Sequence, residues 1–149
     1  GFGGMSLVTY GSENQKSELM PKLINDGLLF ALALTEPQAG SDAAAIITRA
    51  RKKQDRWVIN GLKTWISDAR EADFIVAVVR TTEGSMGHEG LSLLLVPKGI
   101  KGVSFSSLPK APLAKTSNAK HNLGLVVVCV PIECSSAASK IIKSFFSGK

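Results

Sequence analysis

From residue 28 onward the chain reads as one β-prone run after another, with turn formers between the runs and no helical period separating them. LLFALAL (28–34) is short, continuously apolar and bounded by turn signals, as a buried strand is. IITRARKK (46–53) alternates, with Ile47, Arg49 and Arg51 on one face and Thr48, Ala50 and Lys52 on the other. RWVINGLKTWIS (56–67) carries Asn60-Gly61 between β-prone stretches, the strongest short hairpin signal. FIVAVVRT (74–81), LSLLLVPK (91–98), VSFSSL (103–108) and LGLVVVCV (123–130) complete the set, and TEGSMGHEG (82–90) is a loop by composition. Strands joined by turns predict a mainly β fold, an antiparallel sandwich or barrel-like domain.

A short helix precedes the strands. Ser12-Glu13-Asn14-Gln15 has capping-box spacing, and Leu19, Met20, Leu23 and Ile24 form one apolar stripe behind it. Pro21 lies inside this stretch and predicts a kink or a split. Asn25-Asp26-Gly27 then closes the helix, Gly27 being free to turn left-handed.

The 149 residues suit one ordinary domain, and 44% hydrophobic with 20% charged residues is unexceptional for a globular protein. A net charge of +6 leaves anionic partners open. The densest basic cluster, Arg49, Arg51, Lys52, Lys53 and Arg56, has the alternation of a solvated strand face with few aromatics interleaved, which argues against nucleic acid. Cys129 and Cys134, with His121 upstream, lack paired CxxC spacing, so free or buried thiols are expected and no metal site. The longest apolar run, 123–132, is about half a membrane span. The chain opens GFGG without an initiator Met or a basic n-region, and reads as a fragment or processed piece.

The stretch 31–42, ALALTEPQAGSD, packs more polar groups into a strand end than a turn requires. Thr35 and Ser41 offer hydroxyls that donate or accept, Pro37 fixes one φ, and Gly40 permits close backbone approach. A capped turn, with Ser41 or Asp42 binding its own amides, explains the same residues without a ligand. In Lys63-Thr64-Trp65-Ile66-Ser67, alternation sets Lys63, Trp65 and Ser67 on one face. A lone strand tryptophan is usually core, but polar neighbours on its face suit a half-exposed wall on which a planar ring can stack.

ALTEPQAGSD, followed about two dozen residues later by INGLKTWIS and then by GLSLLLVPKGIKGVSF, resembles the middle domain of the acyl-CoA dehydrogenases. GSENQKSELMPKLINDG is similar to the end of that family's N-terminal helical domain, and the resemblance covers 1–110. It implies a division into the end of a helical domain (1–27), a middle β-domain contacting FAD and acyl-CoA (28–133) and a divergent tail (134–149). It implies FAD against the segment 32–41, with Leu32, Leu34, Thr35, Ser41, Trp65, Ile66 and Ser67 as cofactor-binding residues. Thr35 would meet the pyrimidine edge, Trp65 would flank the isoalloxazine, and Ser67 would stand near N5, where a donor stabilises developing charge. Ser41 would also reach the acyl-CoA substrate. Ser67, Asp68 and Gln38 stand where the family more often has Thr, Asn and Gly.

The implied reaction is α,β-dehydrogenation of an acyl-CoA, with electrons passing to an electron-transferring flavoprotein. The catalytic base belongs to the family's C-terminal helical domain; Glu133 is the only late carboxylate and has no context to recommend it, so no catalytic residue and no activity of the chain alone are expected. Kinship further implies a homo-oligomer at full length, in bacterial cytoplasm or mitochondrial matrix. After residue 110 the pattern departs: Thr116-Ser117-Asn118 and VVVCVPIE are faintly similar to the close of the middle domain, and SSAASKIIKSFFSGK has no clear counterpart. Two other readings stay open, a non-catalytic β-sandwich binding a CoA thioester or another anion, and an inactive remnant.

Overall fold

The computed structural model describes residues 2–107 and, as backbone, 123–135. The run Thr116-Ser117-Asn118, His121 and the tail beyond 135 lie outside the described residues.

Among the described residues, two helices, α1 (Phe2–Tyr10) and α2 (Glu13–Asn25), lead into seven strands. Both halves of the capping box form: Gln15 N–H donates to Ser12 Oγ at 3.2 Å, and Ser12 N–H donates to Gln15 Oε1 at 2.9 Å. Pro21 does not split α2. Its missing N–H orphans only the Ser17 carbonyl, on an exposed turn where water can satisfy it. Leu19 is buried and Met20 packs against the core, whereas Ile24, assigned to the same stripe, is 73% exposed. Gly27 takes φ +68, as a closing glycine should. Helix α1 has neither an acidic first turn nor an amphipathic stripe to announce it. It docks by close approach, since a Cβ on Gly3 would collide with Phe30.

The strands are β1 (Phe30–Ala33), β2 (Arg49–Lys53), β3 (Arg56–Ser67), β4 (Phe74–Arg80), β5 (Leu91–Pro97), β6 (Val103–Ser107) and β7 (Leu123–Ser135). They form one sheet ordered β1-β4-β2-β3-β7-β6, with β5 against β4, and among the described residues the sheet does not close. The mainly β expectation holds, and β2–β3, β3–β7, β4–β5 and β6–β7 are antiparallel. Contrary to a wholly antiparallel sheet, β1 runs parallel to β4, Phe30 opposite Phe74 and Ala33 opposite Ala77. The 40-odd residues between those strands give the long connection that parallel pairing needs.

Asn60-Gly61 is not a hairpin. β3 runs straight through it, and the β2–β3 turn falls at Gln54 and Asp55, with Gln54 at φ +54. Gly61 serves close packing instead: a Cβ there would strike the Thr48 side chain.

β4 is the spine of the core. Ile75, Ala77 and Val79 join Ala31, Ala33, Ala50, Ile59, Ile66, Leu94 and Val96 on one side. Val76 and Val78 join Leu91, Leu93 and Leu95 on the other, together with Leu7 and Leu19 from the helices. Helices and sheet thus share apolar packing, with both faces of β4 buried.

Candidate functional site at the end of the first strand

β1 ends at Ala33, and the chain then folds into a tight turn in which Glu36 and Ala39 exchange both backbone bonds, at 2.9 and 3.1 Å. Pro37 and Gln38 form its tip. Asp42 accepts from Ala44 N–H at 3.1 Å and caps a 3-10 turn (Ala43–Ala45), so that part of the polar surplus is local capping. Arg80, buried at the end of β4, fastens the same return segment. It donates to Ala44 O (2.8 Å), Ile46 O (3.1 Å), Gly87 O (2.9 Å) and Ser85 Oγ (3.1 Å).

Glu36 takes no capping role; it is the acceptor at the centre of a buried knot. Its Oε1 accepts from Lys63 Nζ (2.8 Å) and Thr48 N–H (3.0 Å), and its Oε2 from Ile47 N–H (2.8 Å) and Gln38 Nε2 (2.6 Å). Lys63 Nζ also donates to Leu34 O at 2.9 Å. Both side chains of the ion pair are 1% exposed. Burial pushes the Glu36 carboxyl up, but the bonds from Lys63, Thr48 and the Ile47 amide, with the Lys63 charge, outweigh it and hold the group below its ordinary 4.5. Burial pulls the Lys63 ammonium down to about 8, against the upward pull of Glu36. Removing one partner of such a pair costs about 3–5 kcal/mol, because the survivor is left charged and buried.

Alternation set Lys63 beside Trp65 and Ser67, and the structure corrects this. The β3–β7 register shifts between Lys63 and Ile66, and Trp65 there takes φ +59. This bulge breaks the period of two, so Lys63 and Thr64 are buried while Trp65 and Ser67 are exposed. An indole 60% exposed on a left-handed residue is a poor use of a tryptophan for folding alone. Asp68 is left-handed too, at φ +56, a conformation that Asp and Asn tolerate better than most residues.

The structure brings the two expected segments together. Thr64 N–H donates to Thr35 O at 2.9 Å, setting the rim beside the bulge that bears Trp65. Thr35 is half-buried, Ser41 and Ser67 are exposed, and the hydroxyls of Thr35 and Ser41 have no partner among the described residues. Leu32 and Leu34 pack partly into the core. Ile66 departs from expectation: its side chain is 1% exposed and in the core, so only its backbone can face a ligand. Glu36 and Lys63 were not read as a pair from the sequence; the signal available was an acid just past the apolar run 28–34 and a lysine inside the β-prone run 56–67. An open groove of ≈ 730 Å³, lined by Pro37, Gln38, Ile47, Arg49, Arg51 and Leu62 among others, contains none of Thr35, Ser41, Trp65 or Ser67.

The family model for the middle domain of acyl-CoA dehydrogenases matches residues 31–128. The chain belongs to the acyl-CoA dehydrogenase family. It is 37% identical over 127 residues, 85% of its length, to an acyl-CoA dehydrogenase of Alternaria alternata, covering 28% of that protein. It is 40% identical over 106 residues, 70% of its length, to the glutaryl-CoA dehydrogenase of Desulfococcus multivorans, covering 27% of it. The crystal structure of an acyl-CoA dehydrogenase from Geobacillus kaustophilus matches 93% of the chain with a TM-score of 0.82 and 29% identity, over 36% of that protein. The chain thus spans about a quarter to a third of the length of these relatives.

This acyl-CoA dehydrogenase middle domain carries its exposed tryptophan and hydroxyl rim within the matched segment. No cluster of three or more His, Cys, Asp or Glu side chains able to hold a metal occurs among the described residues. No helix among them is long and apolar enough to cross a membrane.

Proposed function

We propose that residues 28–133 form the FAD- and acyl-CoA-contacting wall of an acyl-CoA dehydrogenase, with 1–27 ending a preceding helical domain and 134–149 a divergent tail. One observation carries the reading: Trp65, exposed on a strained left-handed bulge, stands beside the Thr35 rim in a chain of this family. The residues fit a planar polar-edged ring. A flat indole supplies an apolar face that keeps water off one side of a bound ring, worth about 0.5–1.5 kcal/mol beyond area burial. The Thr35 hydroxyl is free to donate to or accept from a polar ring edge, and Ser67, two residues beyond Trp65, is exposed.

FAD, when bound, supplies the two-electron acceptor for α,β-dehydrogenation of an acyl thioester. The chain's own part is to bind, orient and shield. Leu32, Leu34 and the Ile66 backbone shape the wall, and Ser41 faces solvent where a thioester ligand can approach. Abstraction of the α-proton calls for a carboxylate from outside this segment, and the electrons go on to an electron-transferring flavoprotein. At full length we expect a homo-oligomer.

Purification in the presence of FAD followed by an absorbance scan from the near ultraviolet to the blue tests the reading. Flavin bands that survive gel filtration support it, and Thr35→Ala should weaken them. A colourless chain that still binds acyl-CoA would instead favour a non-catalytic CoA-thioester module.

A further inference from the structure

Glu36 and Lys63 are sealed from solvent, yet each is tied to a residue that is not. Glu36 directly follows Thr35, and Lys63 precedes Trp65 by two positions. The four donors on the Glu36 carboxylate come from three separate segments: the turn tip through Gln38, the return segment through Ile47 and Thr48, and β3 through Lys63. Lys63 also holds the carbonyl of Leu34, the residue before Thr35.

We propose that the Glu36–Lys63 pair is the positioning device of this site, fixing the Trp65 bulge against the Thr35 rim before any ligand arrives. The functional consequence rests on the flavin reading of Thr35 and Trp65. A left-handed tryptophan persists only where its surroundings over-determine it. The clamps lie just ahead of it: Lys63 anchored on Glu36 and Leu34, and Thr64 N–H bonded to Thr35 O. An apolar pair could fill the same space without the cost of burying charge, so volume alone does not explain these two residues. What the ion pair adds is direction. A carboxylate with four aimed donors and an ammonium with two aimed acceptors define the relative placement of three chain segments.

The test uses a Trp57→Phe background, in which Trp65 is the one remaining indole. Glu36→Gln and Lys63→Met are compared with this parent by thermal melting, acrylamide quenching of Trp65, amide exchange at Thr64 and FAD titration. Thr64 is the diagnostic amide because it bonds to Thr35, not to either member of the pair. Positioning predicts that folded variants exchange Thr64 about tenfold faster or more and bind FAD about tenfold more weakly, the scale of one lost oriented hydrogen bond. Amides of Val76 and Val78 should keep their protection, and quenching of Trp65 should change. Variants with a lower melting temperature but parental Thr64 exchange and Trp65 quenching would make the pair a stabiliser only and overturn the proposal. So would failure of both variants to fold. If the parent binds no FAD, the flavin reading falls, while Thr64 exchange and Trp65 quenching still decide on positioning.

Discussion

Replacing Trp65 by glycine separates a residue kept for a ligand from one kept for the fold. With 60% of Trp65 exposed, roughly two-fifths of an aromatic surface of about 150–250 Å² is covered. That is about 60–100 Å², or about 1.5–2.5 kcal/mol lost on truncation. Against this stands the left-handed backbone at φ +59, which costs an L-residue about 1–2 kcal/mol and costs glycine little. The two effects nearly cancel, so Trp65→Gly should fall within about 1 kcal/mol of the parent. Trp65→Ala loses the surface and keeps the strain, and should be about 1 kcal/mol or more below Trp65→Gly. Ile66→Ala, one residue on but 1% exposed, should cost about 2–5 kcal/mol. Urea denaturation followed by circular dichroism ranks the three, given an unchanged slope. A Trp65→Gly chain that loses as much stability as Ile66→Ala, or an alanine at 65 more stable than glycine, would contradict a tryptophan kept for a ligand.

Three further outcomes are expected. Gly61→Ala drives a Cβ into the buried Thr48 side chain, 2.5 Å from its Cγ2, and should cost about 1–3 kcal/mol in denaturation, with Thr48→Gly restoring part of it. Arg80→Met strips bonds from Ala44 O, Ile46 O and Gly87 O and should cost about 3 kcal/mol or more, while a loss below about 1 kcal/mol would show those carbonyls re-satisfied by water. The pair also sets a pH dependence. Because the folded Glu36 value is held below 4.5, its stabilisation is complete above 4.5 and is lost as pH falls further. Lys63 sits at about 8 when folded against 10.5 unfolded, so between those values the unfolded chain binds more protons and this residue's contribution rises with pH. Melting temperatures against pH should therefore flatten at the acid end in Glu36→Gln and between 8 and 10.5 in Lys63→Met, relative to the parent.

The strands and the capping box at Ser12 were legible because each is written in local residue choice. Asn60-Gly61 misled for the opposite reason: a local turn signal gave way to a distant demand, the close approach of Thr48 to Gly61. The parallel β1–β4 pairing depends on where a long connection returns, which no short window contains. Helix α1 has no stripe to read because its docking rests on the close approach of Gly3 to Phe30 and on the buried side chain of Leu7. Lys63 was assigned to the wrong side because strict alternation cannot anticipate a bulge. Its partner Glu36, 27 residues earlier, becomes visible only when the chain is folded.

The most direct measurement is the emission of Trp65 in the Trp57→Phe chain as FAD is added and bound. If the indole and the Thr35 rim hold a flavin, emission should fall saturably and reach a deep plateau, and Thr35→Ala should shift the titration to higher FAD. Binding that leaves Trp65 as bright as before, or no saturable change at any FAD concentration, would contradict the site.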